Sequence, residues 1–131
     1  MKYFYTIKLS KLRHKTGIDL EPNVAGAGLH IPHGKIVVNP HSIIGSGCKI
    51  LSDVTIGAQG RYDKSGVPII GNNVFIGSGA RIIGDITIAD DCVIGANAVV
   101  VDSITENGVT VAGIPAKIVS HTDSFHYLNR D

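Results

Sequence analysis

The sequence predicts an all-β protein, a parallel β-helix whose short strands wind around a three-sided prism, and three observations predict it. Between residues 70 and 101 an aliphatic side chain returns at every sixth position: Ile70, Ile76, Ile82, Ile88, Ile94 and Val100. A second apolar residue, often smaller, stands two positions before an anchor, at Val74, Ala80, Ile86, Cys92 and Ala98. Hydrophobic residues make up 44% of the chain but aromatics only 5%, which suits a narrow prism that takes Ile and Val more readily than rings. Helices repeat every 3.6 residues and strands every 2, so neither alone gives a beat of six. A two-residue strand followed by a tight corner does. It turns both apolar positions inward and leaves Gly, Asn or Asp to take the corner's backbone angles, with Gly71, Gly77 and Gly95 directly after their anchors. Three such sides close a coil of about eighteen residues, and stacked coils share one core.

Taken in order, residues 1–16 form a cap or helix. Tyr3, Ile7, Leu9 and Leu12 are spaced loosely as one face of a short basic helix that covers the first open coil. Attachment to a membrane surface through Lys8, Lys11, Arg13 and Lys15 is the alternative. The prism spans residues 17–119. From Leu20 the beat runs through Gly26, Pro32, Val38, Ile44, Ile50 and Ile56. Gly26 and Pro32 stand where aliphatics belong, so the first coil is irregular and open to a site. From Ile56 to Ile70 the count jumps by fourteen, one hexad plus eight residues, and residues 60–67 therefore leave the prism as a projecting loop. After Val100 the beat fades, and Pro115 breaks it within VAGIPAKIV, residues 111–119. Residues 120–131 are a polar tail, frayed or packed on a neighbour.

A chain of 131 residues suits one domain, and stacking gives it a continuous core. A net charge of +1 implies no surface for nucleic acid or another polyanion. No apolar run is long enough for a signal peptide or membrane span, which leads to a cytoplasmic assignment. Cys48 and Cys92 both fall in the slot two before an anchor and read as buried, reduced packing residues rather than a disulfide or metal pair.

The six-residue beat, IGSGA at 76–80, the insertion after VTIG at 54–57 and AGIPAKIV at 112–119 together resemble the hexapeptide-repeat acyltransferases. Within them the likeness is to serine acetyltransferase and its relatives in polysaccharide gene clusters, and it covers residues 17–119. The resemblance implies a left-handed β-helix, against the usual hand of parallel crossovers. It also implies a homotrimer with active sites between subunits, acetyl-CoA as acyl donor and a small-molecule acceptor.

Acyl transfer from acetyl-CoA to an alcohol needs a base, an oxyanion donor and a slot for the pantetheine arm. His33, in GLHIPHGKIVV at 28–38, matches the family's histidine before a glycine and an aliphatic run, so the resemblance makes it the base. A lone histidine in a repeat protein is otherwise a surface or packing residue. Asp19, in GIDLEP, matches the aspartate that orients that imidazole, and its alternative is a turn carboxylate. The stretch between the two is one residue shorter than the family's, a loss expected to be absorbed at residues 26–28. By the same resemblance the pantetheine runs along Gly57 and Ala58, then Ala80 and Ala98, and Lys117 meets a CoA phosphate. His30 lines the acceptor pocket and His41 is solvated. A zinc reading of His30, His33 and His41 lacks the later pair of ligands it needs, so no metal is expected.

Where serine acetyltransferase carries an Arg-His pair after the insertion and an Asp before its catalytic histidine, this chain has Gly66, Val67 and Pro32. Losing a planar cation costs a bound carboxylate about 1.5 to 3 kcal/mol unless Arg61 or Lys64 substitutes. A sugar hydroxyl of surface polysaccharide synthesis, N-acylation of an amino sugar, and a non-catalytic scaffold therefore stay beside serine as readings of the sequence.

Overall fold

The computed structural model describes residues 17–21, 23–60 and 66–128. The short N-terminal helix expected within residues 1–16 lies outside them, as do Arg61 and Lys64 of the loop. The described chain is a left-handed parallel β-helix with three faces. The first face stacks β1 (Ile18–Asp19), β2 (Ile36–Val38), β5 (Val54–Gly57), β8 (Arg81–Ile83) and β11 (Val99–Val100). The second stacks β3 (Ile43–Ile44), β6 (Ile69–Ile70) and β9 (Thr87–Ile88). The third stacks β4 (Lys49–Ile50), β7 (Phe75–Ile76), β10 (Val93–Ile94) and β12 (Thr110–Gly113). It ends on β13 (Ala116–Ser120), which folds back antiparallel to β12 around Ile114 and Pro115.

The aliphatic ladder is the core. Ile44, Ile50, Ile56, Ile70, Ile76, Ile82, Ile88, Ile94 and Val100 are all buried to 1% exposure or less. Full burial of such a side chain stabilises by about 1.5 to 3 kcal/mol, so the stack is the chief source of stability. Between anchors, Cys48, Val54, Val74, Ala80, Ile86, Cys92 and Ala98 fill the second inward slot. Both cysteines are free and buried, and burial pushes each thiol above its usual 9.0.

The corners divide their demands between two positions. The third residue after an anchor takes the left-handed backbone: Gly47, Asp53, Asn73, Gly79, Asp91 and Asn97 all have φ between 55 and 76°. Asn and Asp tolerate this region, and Gly enters it without a side-chain clash. Gly71, Gly77 and Gly95, directly after their anchors, are needed instead for close approach between coils. A Cβ on Gly77 would stand 2.7 Å from the Ala96 nitrogen, and one on Gly71 would stand 3.0 Å from the Ala89 carbonyl carbon.

The first coil departs from the sequence count. Ala25, not Gly26, pairs with Ile44, and His30 pairs with Lys49, which puts Ile31 rather than Pro32 in the anchor slot beneath Ile50. Gly26 and Pro32 are exposed, whereas Ala25 and Ile31 pack against the core. The chain is one residue short before Ala25, not at 26–28, and one residue long between Ile31 and Ile36. The coil keeps its eighteen residues, since Ile18 still pairs with Ile36. Packing an aliphatic side chain inward outweighs keeping strict spacing.

The coil that follows β5 is eight residues longer than the one before it. Ile36 pairs with Val54, eighteen residues on, whereas Thr55 pairs with Arg81, twenty-six on. The tail differs from expectation, for it packs on its own β-helix. The Ser124 N–H donates to the Asp91 carbonyl at 3.1 Å and its buried hydroxyl donates to the Asn73 carbonyl. The following turn of helix, α1 (Phe125–Leu128), sets Tyr127 against Phe75 with ring centroids 4.8 Å apart. Lys49 Nζ donates to the Tyr127 carbonyl at 3.3 Å. An aromatic pair and a buried hydroxyl give this polar segment enough contact to order it.

Candidate functional site

One corner column joins the third face to the first, and the extra residue of the first coil falls in it. In the other coils this corner takes three residues between anchor and strand or inward slot, at 51–53, 77–79 and 95–97. In the first coil it takes four, residues 32–35, with Lys35 in the left-handed conformation at φ 63°. His33 is the second of the four and its side chain is exposed. The corner is thus one residue longer than those stacked on it, and the imidazole it carries is open to solvent. Asp19, also exposed, lies on β1 in register with Val37 of β2, the strand that His33's corner leads into. The two therefore border the same edge of the first face, in the same coil.

The corner is tied to the one stacked beside it. Asp53 N–H donates to the Lys35 carbonyl at 2.7 Å, and Gly79 N–H donates to Ser52 at 3.0 Å. Ala80 and Ala98 close the next corners of the column, but their side chains belong to the core, each with 0% exposure. Only their backbone is available to a ligand, and each N–H already makes a turn bond, to Gly77 and Gly95 respectively, at 3.3 and 3.2 Å.

Gly57 lies at the other end of the first face, three residues beyond the register partner of Ala80, or roughly 10 Å along the strand. It pairs with Ile83, and Gly84 N–H donates to its carbonyl at 2.9 Å. A Cβ built on Gly57 or on Gly84 would meet nothing within 4 Å. That open space beside backbone, with half-buried Ala58 next to it, fits the close approach of an extended amide chain such as pantetheine. Lys117 is exposed on β13 and lines a groove of ≈ 320 Å³ with Asp102, Thr105, Glu106 and the exposed Ile118, beside the buried Ile104 and Ala116. This groove lies at the last coil and His33 at the first, so within one protomer they do not share a pocket.

His30 is half-buried, and its Nδ1 is buried without a hydrogen-bond partner. It stands one coil from Lys49 on the outward column of the third face. His41 is exposed on the opposite corner, its backbone N–H donating to Asn39 Oδ1 at 2.9 Å. Among the described residues no three His, Cys, Asp or Glu side chains gather as a metal site. No described helix is long and apolar enough to cross a membrane.

Sequence reasoning missed Arg81. Its guanidinium leaves the outward column of the first face and turns back along the corners, where Nη1 donates to the carbonyls of Asp53, Gly79 (3.2 Å) and Ala80 (3.3 Å). Nη2 lies 3.4 Å from Asp53 Oδ2. The available signal was a single Arg in the repeat's outward slot, where other coils carry Thr55 and Val99.

Comparison with known proteins bears on this geometry. Residues 68–102 match the family model "Bacterial transferase hexapeptide (six repeats)". Serine acetyltransferase of Helicobacter pylori (strain ATCC 700392 / 26695) is 39% identical over 121 residues, covering 90% of this chain and 70% of that protein. The solved structure of serine acetyltransferase from Brucella abortus strain S19 in complex with coenzyme A superposes with a TM-score of 0.73 at 35% identity. The match covers 81% of this chain and 43% of that one. A serine acetyltransferase in complex with cysteine superposes at 0.80 with 33% identity, over 91% of this chain and 50% of that one. The chain thus spans half or less of these two solved structures. At the identity and coverage of the Helicobacter pylori match, the chain belongs to the serine acetyltransferase family of hexapeptide-repeat acyltransferases.

Proposed function

We propose that the protein is an acetyl-CoA-dependent O-acetyltransferase that transfers the acetyl group directly to a hydroxyl, with His33 as general base and Asp19 as the carboxylate that orients it. The observation that carries this reading is the four-residue corner 32–35, which spends an extra residue to hold one imidazole outside the prism. In the reaction the imidazole takes the acceptor's O–H proton as its oxygen attacks the thioester carbonyl carbon. The tetrahedral intermediate collapses, the C–S bond breaks, and the CoA thiolate recovers the proton from the imidazolium. General-base help of this kind contributes about 10² to 10⁴ in rate, and alignment of the two substrates contributes more. Asp19 stabilises the imidazolium without itself taking the proton.

In this reading the pantetheine arm lies along the open backbone at Gly57 and Ala58 and the corner backbone at Ala80 and Ala98. Lys117 meets a CoA phosphate. Since His33 stands at the first coil and the Lys117 groove at the last, the cofactor in this reading runs along a face or across a subunit cleft to meet both. A homotrimer with sites between subunits supplies such clefts, and exposed Val37, Ile43 and Ile69 are apolar surface available for burial there. A cytoplasmic setting completes the proposal.

Serine is the first acceptor to test, because relatives carry its name. A second reading, a sugar hydroxyl, rests on Gly66, Val67 and Pro32, which offer no charge to an amino-acid carboxylate; serine binding instead calls on Arg61 or Lys64 to substitute for the missing cation, with His30 lining the acceptor pocket in either case. Thiol release from acetyl-CoA with serine, set against a panel of sugars and nucleotide sugars, decides between them. Turnover with serine at low millimolar concentration supports the first, turnover with sugars alone the second, and none with either rejects the enzyme.

A further inference from the structure

We infer that Arg81 is a positioning residue, whose guanidinium locks the corner at 51–53, to which the corner carrying His33 is hydrogen-bonded, onto the corner at 77–80 and so helps aim the imidazole; this rests on the reading of His33 as base. The link is short. The Lys35 carbonyl, two residues after His33, accepts from Asp53 N–H at 2.7 Å. The Asp53 carbonyl in turn accepts from Arg81 Nη1, and its carboxylate lies 3.4 Å from Nη2. The same Nη1 bonds the carbonyls of Gly79 and Ala80 in its own corner. One planar cation therefore joins the corners at 51–53 and 77–80, and Asp53 hands that rigidity to 32–35, the corner with a surplus residue and hence the least constraint of its own.

No other described side chain makes such a set of bonds along this column. Lys could supply one charge but not the fork that reaches three carbonyls and a carboxylate together. Asp53 itself sits at φ 61°, a conformation Asn also tolerates, so Asp53→Asn removes the carboxylate while keeping the carbonyl and N–H that make the link. The carboxylate is largely exposed and the ion pair is a minor part of the lock.

Amide hydrogen exchange and steady-state turnover on the full chain test the inference together. In Arg81→Met the Asp53 amide is expected to exchange at least tenfold faster. The Asn39 amide, which bonds Ile56 on the far corner, should keep its wild-type rate. The kcat should fall about tenfold at a temperature where the variant is folded, Arg81→Lys should fall between, and Asp53→Asn should stay within twofold of wild type. Faster exchange at Asp53 and Asn39 alike would reduce Arg81 to a general stabiliser and overturn the inference. So would a wild-type kcat in Arg81→Met, with or without faster exchange at Asp53. Should the wild type itself turn over no acceptor, the proposed function fails on its own account, and unchanged Asp53 exchange would separately remove the lock.

Discussion

Gly77 lies directly against Ala96 of the next coil, where an added Cβ would stand 2.7 Å from the Ala96 nitrogen and 3.0 Å from the Gly95 carbonyl carbon. Both obstacles are backbone, held by the stacked hydrogen bonds of the third face, including Gly77 N–H to Ile94 at 2.8 Å. Nothing flexible can give way. Gly77→Ala is therefore expected to destabilise by about 2 kcal/mol, the usual cost of overpacking, as read from urea unfolding. A variant as stable as wild type would mean that coil spacing yields more readily than the geometry requires.

Ser42 presents the opposite case. It fills an inward slot at 2% exposure, and its hydroxyl has no hydrogen-bond partner. Other coils place Pro68 or Ile86 there. Removing an unsatisfied buried hydroxyl recovers its desolvation cost, so Ser42→Ala should raise stability by about 1 kcal/mol. A drop of similar size would reveal a partner, such as bound water, for that oxygen.

The two buried thiols predict an alkaline limb. Burial raises the folded-state pKa of Cys48 and Cys92 above the usual 9.0, outweighing the backbone N–H groups that lower it. Above pH 9 the unfolded chain sheds these protons while the folded chain keeps them. Stability is therefore full below that point and falls as pH rises past it. Unfolding followed from pH 7 to 10.5 should show a decline that is shallower in Cys48→Ala/Cys92→Ala, and equal slopes would contradict the cause assigned.

The docked tail makes a separate prediction. Val93 stands on the outward column of the third face, yet only 3% of it is exposed, and the tail hydrogen-bonds to the adjoining Asn73 and Asp91 carbonyls. Tyr127→Ala should cost about 1 kcal/mol, the usual worth of an aromatic contact beyond its area, and should leave the fold of the coils intact by circular dichroism. Full stability would show that Ser124 alone holds the segment.

Much of this was legible in the residues because a β-helix writes its period openly. Each anchor from Ile44 to Val100 falls inside as the beat of six requires, and the eight-residue insertion follows from one interrupted count. Where the beat degenerated, at Gly26 and Pro32, counting failed. There the chain gives up regular spacing to bury Ala25 and Ile31, and a count of positions cannot weigh packing against spacing. The tail was illegible for a related reason: Ser124, Phe125 and Tyr127 look polar or isolated until Phe75, Asn73 and Asp91 are brought beneath them. Arg81 was missed because its partners are carbonyls, which every residue carries and no motif records. His33 was found through family likeness, while the reason it stands clear of the prism, a corner longer by one residue, emerged only from the pairing of His30 with Lys49.

The most direct test of the whole account is the rate of thiol release from acetyl-CoA, with the preferred acceptor saturating, in His33→Ala against wild type. Loss of a thousandfold or more in kcat, with the variant folded and its KM for acetyl-CoA little changed, is the predicted result. A kcat within tenfold of wild type would contradict it, leaving the surplus residue at 32–35 without the role assigned to it.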